Sequence, residues 1–182
     1  MQEDPKRLFV YGSLRPDVNV EMHRKFMASC RLVGEAYFQG INSAMQQILI
    51  HQTKGLMFAI DHLQDIKSSE ELTHYQEGVV KYPGMVASNE PVNKVKGMLF
   101  ELPEDKDQSD AMLKQLDIYE GTVEYVSRDE TAEYERKLVL VYVPSLDRHL
   151  ETWTYLWRLP VSKLEVIVHG DYALYQQAKQ QS

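Results

Sequence analysis

The chain has 182 residues, a length that suits one domain with a real core and falls short of what two independent cores usually need. Its 27 acidic and 20 basic side chains give a formal charge of -7 without any basic run, so we expect no nucleic acid partner. Hydrophobic residues make up 43% and charged residues 26%, which is typical of a chain that folds and excludes a disordered one.

The pattern of apolar residues predicts a soluble, cytoplasmic protein. The N-terminal sequence MQEDPKRLFVYGS is charged before its first apolar residues, unlike a secretory signal. No segment approaches the roughly 20 apolar residues of a spanning helix, so we expect no membrane contact. The single cysteine, Cys30, cannot form an internal disulfide and fits a reducing compartment. No two histidines have the i, i+4 spacing of a zinc motif, and we predict neither a metal nor a cofactor.

The first 40 residues predict a strand, a helix and a second strand. Residues Arg7 to Tyr11 form a short apolar run ended by Gly12-Ser13, as in a buried strand that enters a tight turn. Pro16 disfavours a helix directly after the turn, whereas Asn19 can cap a helix that reaches about Ser29. Residues Cys30 to Gly40 alternate between apolar and polar and predict the second strand.

The next part of the chain is less regular. Residues Gly55 to Ile60 are too apolar for a free loop, and Asp61 to Gly78 predict one or two short helices. Two interpretations stay open here, a strand and helix packed on the core or a mobile lid. Tyr82-Pro83-Gly84 then predicts a turn that leads into Met85 and Val86.

The second half predicts a strand over Val95 to Glu101, a helix over Asp107 to Gly121, and strands over Tyr134 to Val143 and Glu151 to Trp157. In the helix, apolar residues recur on one side, Gly121 ends it, and Asp107 or Ser109 can cap its start. We find no repeat or low-complexity linker, so residues 1–182 are predicted to form a single domain.

Glu120 is in an unfavourable position for a residue that only supports the fold. A negative charge at a helix C-terminus meets the negative end of the macrodipole, at a cost of up to about 1 kcal/mol. Such a local conflict can mark a functional residue, although a glutamate near a helix end is more often a solvated surface residue. In the same way, Gly12 after a strand is often just part of a turn.

Five short motifs follow one another along the chain. They are Tyr11-Gly12-Ser13-Leu14, Tyr82-Pro83-Gly84, Leu116-Asp117-Ile118-Tyr119-Glu120-Gly121, Tyr134-Glu135-Arg136 and Gly170-Asp171-Tyr172. In this order they resemble the γ-glutamylcyclotransferase-like family. The resemblance implies an α+β fold, a compact single domain built on a small mixed β-barrel with flanking helices. It fails over residues 42–77, which predicts an atypical insertion there.

The resemblance also implies a reaction. Members of this family make the α-amine of a γ-glutamyl amide attack its own side-chain carbonyl, which releases 5-oxoproline and a free amine. The nucleophile belongs to the substrate, so no Ser-His or Cys-His pair is needed.

By the same resemblance, Glu120 is the general acid/base, with a pKa that burial raises toward neutrality. The turn of Tyr11, Gly12, Ser13 and Leu14 would hold the substrate and offer backbone N–H groups to the carbonyl oxygen. Tyr82 and Tyr134 are further candidate substrate contacts. Arg15 either meets the substrate carboxylate or lies in solvent.

Several alternatives remain at this point. The same fold can serve as a non-catalytic small-molecule binding module, although the presence of Glu120 argues against that. A relative can also act on another γ-glutamyl amide, such as glutathione or an acylated metabolite. Phe9-Val10-Tyr11 departs from the longer glycine-containing start of glutathione-specific relatives, so we rank glutathione lower. We therefore expect a small-molecule γ-glutamyl substrate as the partner and leave a homodimer open.

Overall fold

The computed structural model describes residues 6–39, 54–60, 82–88, 94–122, 132–158 and 165–181. The strands in these ranges are β1 (Arg7–Val10), β2 (Arg31–Gln39), β3 (Lys54–Ile60), β4 (Tyr82–Ser88), β5 (Lys94–Glu101), β6 (Tyr134–Val143), β7 (Arg148–Trp157) and β8 (Glu165–Val166). The α-helices are α1 (Val20–Met27), α2 (Lys106–Tyr119) and α3 (Tyr172–Gln180), and a 3₁₀ turn spans Pro144–Leu146. Within the described ranges, no helix combines the length and apolar character needed to cross a membrane.

Five strands form a closed barrel in the order β1-β5-β2-β6-β7. Four of the strand contacts are antiparallel, and the barrel closes where Leu8 of β1 pairs in parallel with Trp153 of β7. The remaining three strands form a second sheet in the order β4-β3-β8. The prediction of an α+β fold on a small mixed barrel with flanking helices is confirmed.

Alternate residues of the barrel strands belong to two different hydrophobic clusters, because successive side chains of a strand point to opposite faces of the sheet. In β1, Phe9 belongs to a cluster built mainly from the barrel strands, whereas Leu8 and Val10 belong to the other. The second cluster, which we call the helix-facing cluster, brings in Met27 of α1 and Leu116 of α2. These contacts fix α2 against the outside of the barrel and so determine where its C-terminal end lies.

The helices α1 and α2 each begin directly after a residue whose side chain caps the first turn. Asn19 caps α1 as predicted, and its side-chain oxygen accepts a hydrogen bond from Met22 N at 3.0 Å. The predicted cap of α2 is wrong, because Asp105 takes this place, with Oδ1 2.9 Å from Gln108 N. Asp107 therefore lies in the first turn of the helix, and Ser109 is buried inside it.

Tyr82-Pro83-Gly84 is not a turn but the start of β4, which corrects the sequence interpretation. The strand pairs with β3 from Tyr82 opposite Ile60 to Ser88 opposite Lys54. Because β4 is the edge strand of its sheet, proline can lie in it without interrupting hydrogen bonds on both sides. The apolar stretch Gly55 to Ile60 forms β3, and the helices predicted within Asp61 to Gly78 lie outside the described residues.

Gly170 joins α3 to the barrel through a close backbone approach. Its φ is +61°, in the left-handed region, and a Cβ at this position would overlap the carbonyl oxygen of Lys94. The carbonyl of Gly170 accepts a hydrogen bond from Lys96 N at 2.8 Å. Asp171 then caps α3, accepting a hydrogen bond from Ala173 N at 3.0 Å.

This geometry predicts that Gly170→Ala lowers the free energy of unfolding more than Gly121→Ala does. Both glycines have a φ of +61°, so both variants carry the left-handed cost of about 1–2 kcal/mol. An alanine Cβ at Gly121 would meet no atom within 4 Å, whereas at Gly170 it meets backbone. Urea unfolding of the two variants measures the difference, and equal losses would contradict the close approach.

Candidate active site

The end of α2 holds Glu120 in a Schellman turn. Thr122 N donates to Asp117 O at 3.0 Å, and Gly121 N donates to Ile118 O at 3.2 Å. Gly121 adopts the left-handed conformation that this motif favours. Glu120 is the C-cap residue, and its own N–H donates to Leu116 O at 2.8 Å. The backbone on both sides of Glu120 is therefore fixed by hydrogen bonds.

The Glu120 carboxyl group is placed where ionisation is unfavourable. The residue is partly buried, and no side chain in the described part of the chain forms an ion pair or hydrogen bond with its carboxyl group. Burial raises the pKa of Glu120 to about 8, and the nearby negative charge of Glu133 acts in the same direction. A raised pKa at Glu120 is what the family resemblance implied. At this value the group can take up and release a proton near neutral pH.

The turn after β1 lies beside the end of α2. Arg15 N donates to Gly12 O at 2.9 Å, which closes a β-turn over Gly12 to Arg15. The hydroxyl groups of Ser13 and Tyr119 are 3.2 Å apart and share a hydrogen bond. Since Tyr119 directly precedes Glu120, this contact joins the turn to the last residues of the helix.

The start of β4 completes the arrangement. A Cβ on Gly12 would lie 2.5 Å from Pro83 Cγ, so the turn and β4 pack as closely as glycine permits. Tyr134 donates its hydroxyl to Pro83 O at 2.9 Å, and its backbone bridges to Thr122. The fold thus brings the Gly12 turn, Pro83, Tyr134 and the Glu120 turn together, although they are far apart in sequence.

Most of the predicted substrate-contact side chains are engaged with the protein itself. Tyr11 and Tyr134 are buried, and the Tyr11 hydroxyl donates to the backbone oxygen of Tyr155 at 2.7 Å. Leu14 belongs to the helix-facing cluster. The side chain of Tyr82 lies outside the described part of the structure. The substrate-contact roles of Tyr11, Gly12, Ser13, Leu14, Tyr82 and Tyr134 therefore stay predictions, and Ser13 keeps the most accessible polar side chain at the turn.

Arg15 differs from both sequence expectations. It is 2% exposed, and its guanidinium contacts Asp17 at 2.6 Å and Asp171 at 3.0 Å. It is therefore neither solvated nor free to meet a substrate carboxylate. Asp171 lies within reach because Gly170 allows the start of α3 to approach β5.

Sequence reasoning gave no role to three residues next to the site: Asp117 and Arg136, which it named only within motifs, and Tyr155. Asp117 is 4% exposed and forms an ion pair with Arg136 and a hydrogen bond with Tyr155. A signal was present in the sequence. Asp117 follows Leu113 by four residues, which places a charged residue on the apolar side of the helix.

Cys30 is not part of this group of residues. Its thiol lies 3.3 Å from the sulfur of Met112, in the helix-facing cluster. Burial raises the pKa of Cys30 to about 11, so the thiolate is scarce at neutral pH. This agrees with a cysteine that serves packing.

Glu120→Gln should change stability in a pH-dependent way. A carboxyl whose folded-state pKa is raised from about 4.5 to about 8 stabilises the fold below pH 4.5, and this contribution is lost as pH rises toward 8. Glutamine cannot ionise, so the variant should gain thermal stability relative to wild type between pH 5 and pH 8. The same substitution at exposed Glu104 controls for the lost charge. A melting-temperature difference that stays constant with pH for Glu120→Gln would contradict the raised pKa.

The comparisons with known proteins agree with this fold. A family model described as "Gamma-glutamyl cyclotransferase, AIG2-like" matches residues 8–174. An AIG2-like protein structure from Mus musculus is 16% identical, with a TM-score of 0.54 over 93% of this chain and 89% of that chain. The uropathogenic E. coli-specific protein c4763 is 14% identical, with a TM-score of 0.52 over 96% and 98% of the two chains. A protein from Arabidopsis thaliana is 16% identical, with a TM-score of 0.52 over 100% and 79%.

At these identities the structural matches show a shared fold. No curated protein has a significant match to the chain. The family model, however, spans most of the sequence from β1 into α3. The protein therefore belongs to the gamma-glutamyl cyclotransferase, AIG2-like family.

Proposed function

We propose that the chain is an enzyme that releases 5-oxoproline and a free amine from a γ-glutamyl amide, with Glu120 as the general acid/base. The observation that carries the proposal is the Glu120 carboxyl group. It is partly buried, has no partner among the described side chains, and has a pKa of about 8. It also lies at the end of the barrel where the Gly12 turn and Tyr134 meet.

The reaction requires two proton transfers that one such group can perform. The Glu120 carboxylate takes a proton from the substrate α-ammonium, and the free amine attacks the γ-carbonyl carbon to form the five-membered ring. When the tetrahedral intermediate collapses, the carbonyl re-forms, the bond to the leaving amine breaks and the protonated Glu120 returns the proton to that amine. The ring nitrogen releases its second proton to the surrounding water, which leaves the single N–H of 5-oxoproline. A carboxyl group with a pKa near the working pH suits both steps, because neither protonation state is strongly favoured.

The reaction also requires stabilisation of the negative charge that develops on the carbonyl oxygen when the amine attacks. The turn after β1 suits this requirement. Backbone N–H groups that are fixed before the reaction stabilise developing negative charge without reorganising, typically by a few kcal/mol for each donor. The hydrogen bond from Arg15 N to Gly12 O and the contact of Gly12 with Pro83 fix this turn. The substrate would lie between the turn and Glu120, with the Ser13 hydroxyl as a further donor.

Glu120→Gln should lower the rate of 5-oxoproline release by about 10²- to 10⁴-fold, because the amide cannot accept a proton at neutral pH. The assay uses a panel of γ-glutamyl amino acids, γ-glutamylamines and glutathione, with chromatographic detection of 5-oxoproline. A folded variant within threefold of wild type would exclude Glu120 as the acid/base. Binding without turnover by the wild-type protein across the panel would favour the non-catalytic binding module.

The pH dependence of kcat/KM gives a second test with a matched control. Since the base must be ionised, kcat/KM should rise about tenfold per pH unit in acid and level off above about pH 8. Glu133→Gln should shift this profile to lower pH while keeping turnover, because the charge of Glu133 helps to raise the Glu120 pKa. A profile that is flat from pH 8 down to pH 4 would count against the assignment.

A further inference from the structure

Asp117 contributes to the Glu120 turn through both its backbone and its side chain. Its carbonyl oxygen accepts the hydrogen bond from Thr122 N that closes the Schellman turn. Its carboxylate points to the barrel, where Oδ1 lies 2.9 Å from Arg136 Nε and Oδ2 lies 3.1 Å from the second guanidinium nitrogen. The pair is bidentate, a geometry that fixes orientation as well as distance. The last turn of α2 is thereby joined to β6.

The partners of Asp117 come from two neighbouring strands. Arg136 of β6 and Tyr155 of β7 are directly opposite each other in the antiparallel register. Side chains at such positions lie on the same face of the sheet, and here both reach Asp117. The Tyr155 hydroxyl donates to Asp117 Oδ1 at 2.8 Å, and the Arg136 guanidinium lies 4.8 Å from the centre of the Trp153 ring. Each charged or polar group of this cluster thus has a partner.

Strand β7, which carries Tyr155, also contacts the residue that precedes the turn after β1. The backbone oxygen of Tyr155 accepts a 2.7 Å hydrogen bond from the hydroxyl of Tyr11, the residue that enters the Gly12 turn. Tyr11 and Tyr155 are both buried, so water does not compete strongly for these bonds. One residue of β7 therefore contacts both the end of α2 and the turn after β1.

We propose that Asp117, Arg136 and Tyr155 form a positioning cluster, which fixes the position of Glu120 relative to the turn after β1. Within the described residues, no hydrogen bond or ion pair joins these three side chains to the Glu120 carboxyl group, although the charge of Glu120 acts on the Tyr155 hydroxyl. The cluster acts by holding the helix end that carries Glu120 against the strand that anchors Tyr11. This inference rests on the proposed function of the site. It assigns a role to Asp117, Arg136 and Tyr155, which take no part in the proton transfers.

Stability alone is a weak reason for such a cluster. A buried ion pair loses so much hydration that an apolar replacement of similar size is often as stable or more stable. Apart from Ser109, the other buried residues of α2 are apolar, with Met112, Leu113 and Leu116 in the helix-facing cluster. A bidentate ion pair with one further hydrogen bond restricts the rotation of a helix end about its axis, and its distance from the sheet, more narrowly than apolar packing does.

Two variants test the cluster without changing the net charge near Glu120. The first is Asp117→Asn combined with Arg136→Gln, which removes one charge of each sign. The second is Tyr155→Phe, which removes one hydroxyl and is the milder change. The double variant Lys106→Gln and Asp110→Asn is the matched control, because it removes an exposed ion pair from the same helix. Circular dichroism and thermal unfolding establish which variants are folded.

The main readout is the titration of Glu120 by NMR of protein labelled with ¹³C at the glutamate carboxyl carbons. The signal is assigned by its loss in Glu120→Gln. Wild type and control should titrate with a midpoint near 8. In the charge-pair variant, release of the helix end should lower the titration midpoint of Glu120 by about one unit or more toward its ordinary value of about 4.5. Its kcat should also fall by about 100-fold, as expected for a misplaced catalytic group, and Tyr155→Phe should show the same changes to a smaller degree.

Folded variants whose Glu120 midpoint and kcat both equal those of wild type would overturn the positioning role. If the charge-pair variant does not fold, the same result for Tyr155→Phe decides the question. The two proposals can fail separately. A wild-type protein that releases no 5-oxoproline, but whose Glu120 midpoint still moves in the variants, would refute the proposed function and keep the positioning cluster.

Discussion

The site depends on a carboxyl group held partly away from water with no partner for its charge among the described side chains. Burial alone disfavours the ionised form, and the charge of Glu133 adds to this effect, so the pKa of Glu120 rises to about 8. A free chain would relieve this situation by turning the side chain toward solvent. The Schellman hydrogen bonds on either side of Glu120 and the apolar contacts of α2 oppose that movement. The fold therefore maintains an arrangement that is locally unfavourable, which is typical of functional sites.

The other buried charges near the site have partners. Asp117 is paired with Arg136, and Arg15 is paired with Asp17 and Asp171. These two clusters hold the two sides of the site, the end of α2 and the turn after β1. Within the described part of the chain, this contrast separates residues whose charges are paired inside the protein from Glu120, whose carboxyl group has no such partner.

Local patterns were enough to predict much of the fold. Alternation located β2 and β5 closely, richness in β-branched residues located β6, and helical periodicity with Gly121 located the end of α2. The position of Glu120 against the helix dipole is a feature of the sequence alone, but it is not specific, and the role of this residue came from the family resemblance. The family resemblance supplied the barrel, because strand order and closure depend on pairings that no local pattern contains.

The errors also have physical causes. Arg15 was misjudged because its partner Asp171 is 156 residues away and is brought near by the close approach of Gly170 to β5. Pro83-Gly84 has the composition of a turn, and its position in an edge strand is evident only from the sheet order. Asp117 was named within a motif but received no role, although its helical spacing places it on the apolar face, where a charged residue requires a partner.

The central claim is that Glu120 supports ring closure by the substrate's own amine and not attack by water. Turnover in H₂¹⁸O of a γ-glutamyl substrate labelled with ¹⁵N at the α-amine, followed by mass spectrometry, tests this most directly. The account predicts 5-oxoproline that carries ¹⁵N in its ring and no ¹⁸O, released together with one equivalent of free amine. Formation of ¹⁸O-labelled glutamate in place of 5-oxoproline would show hydrolysis and contradict it.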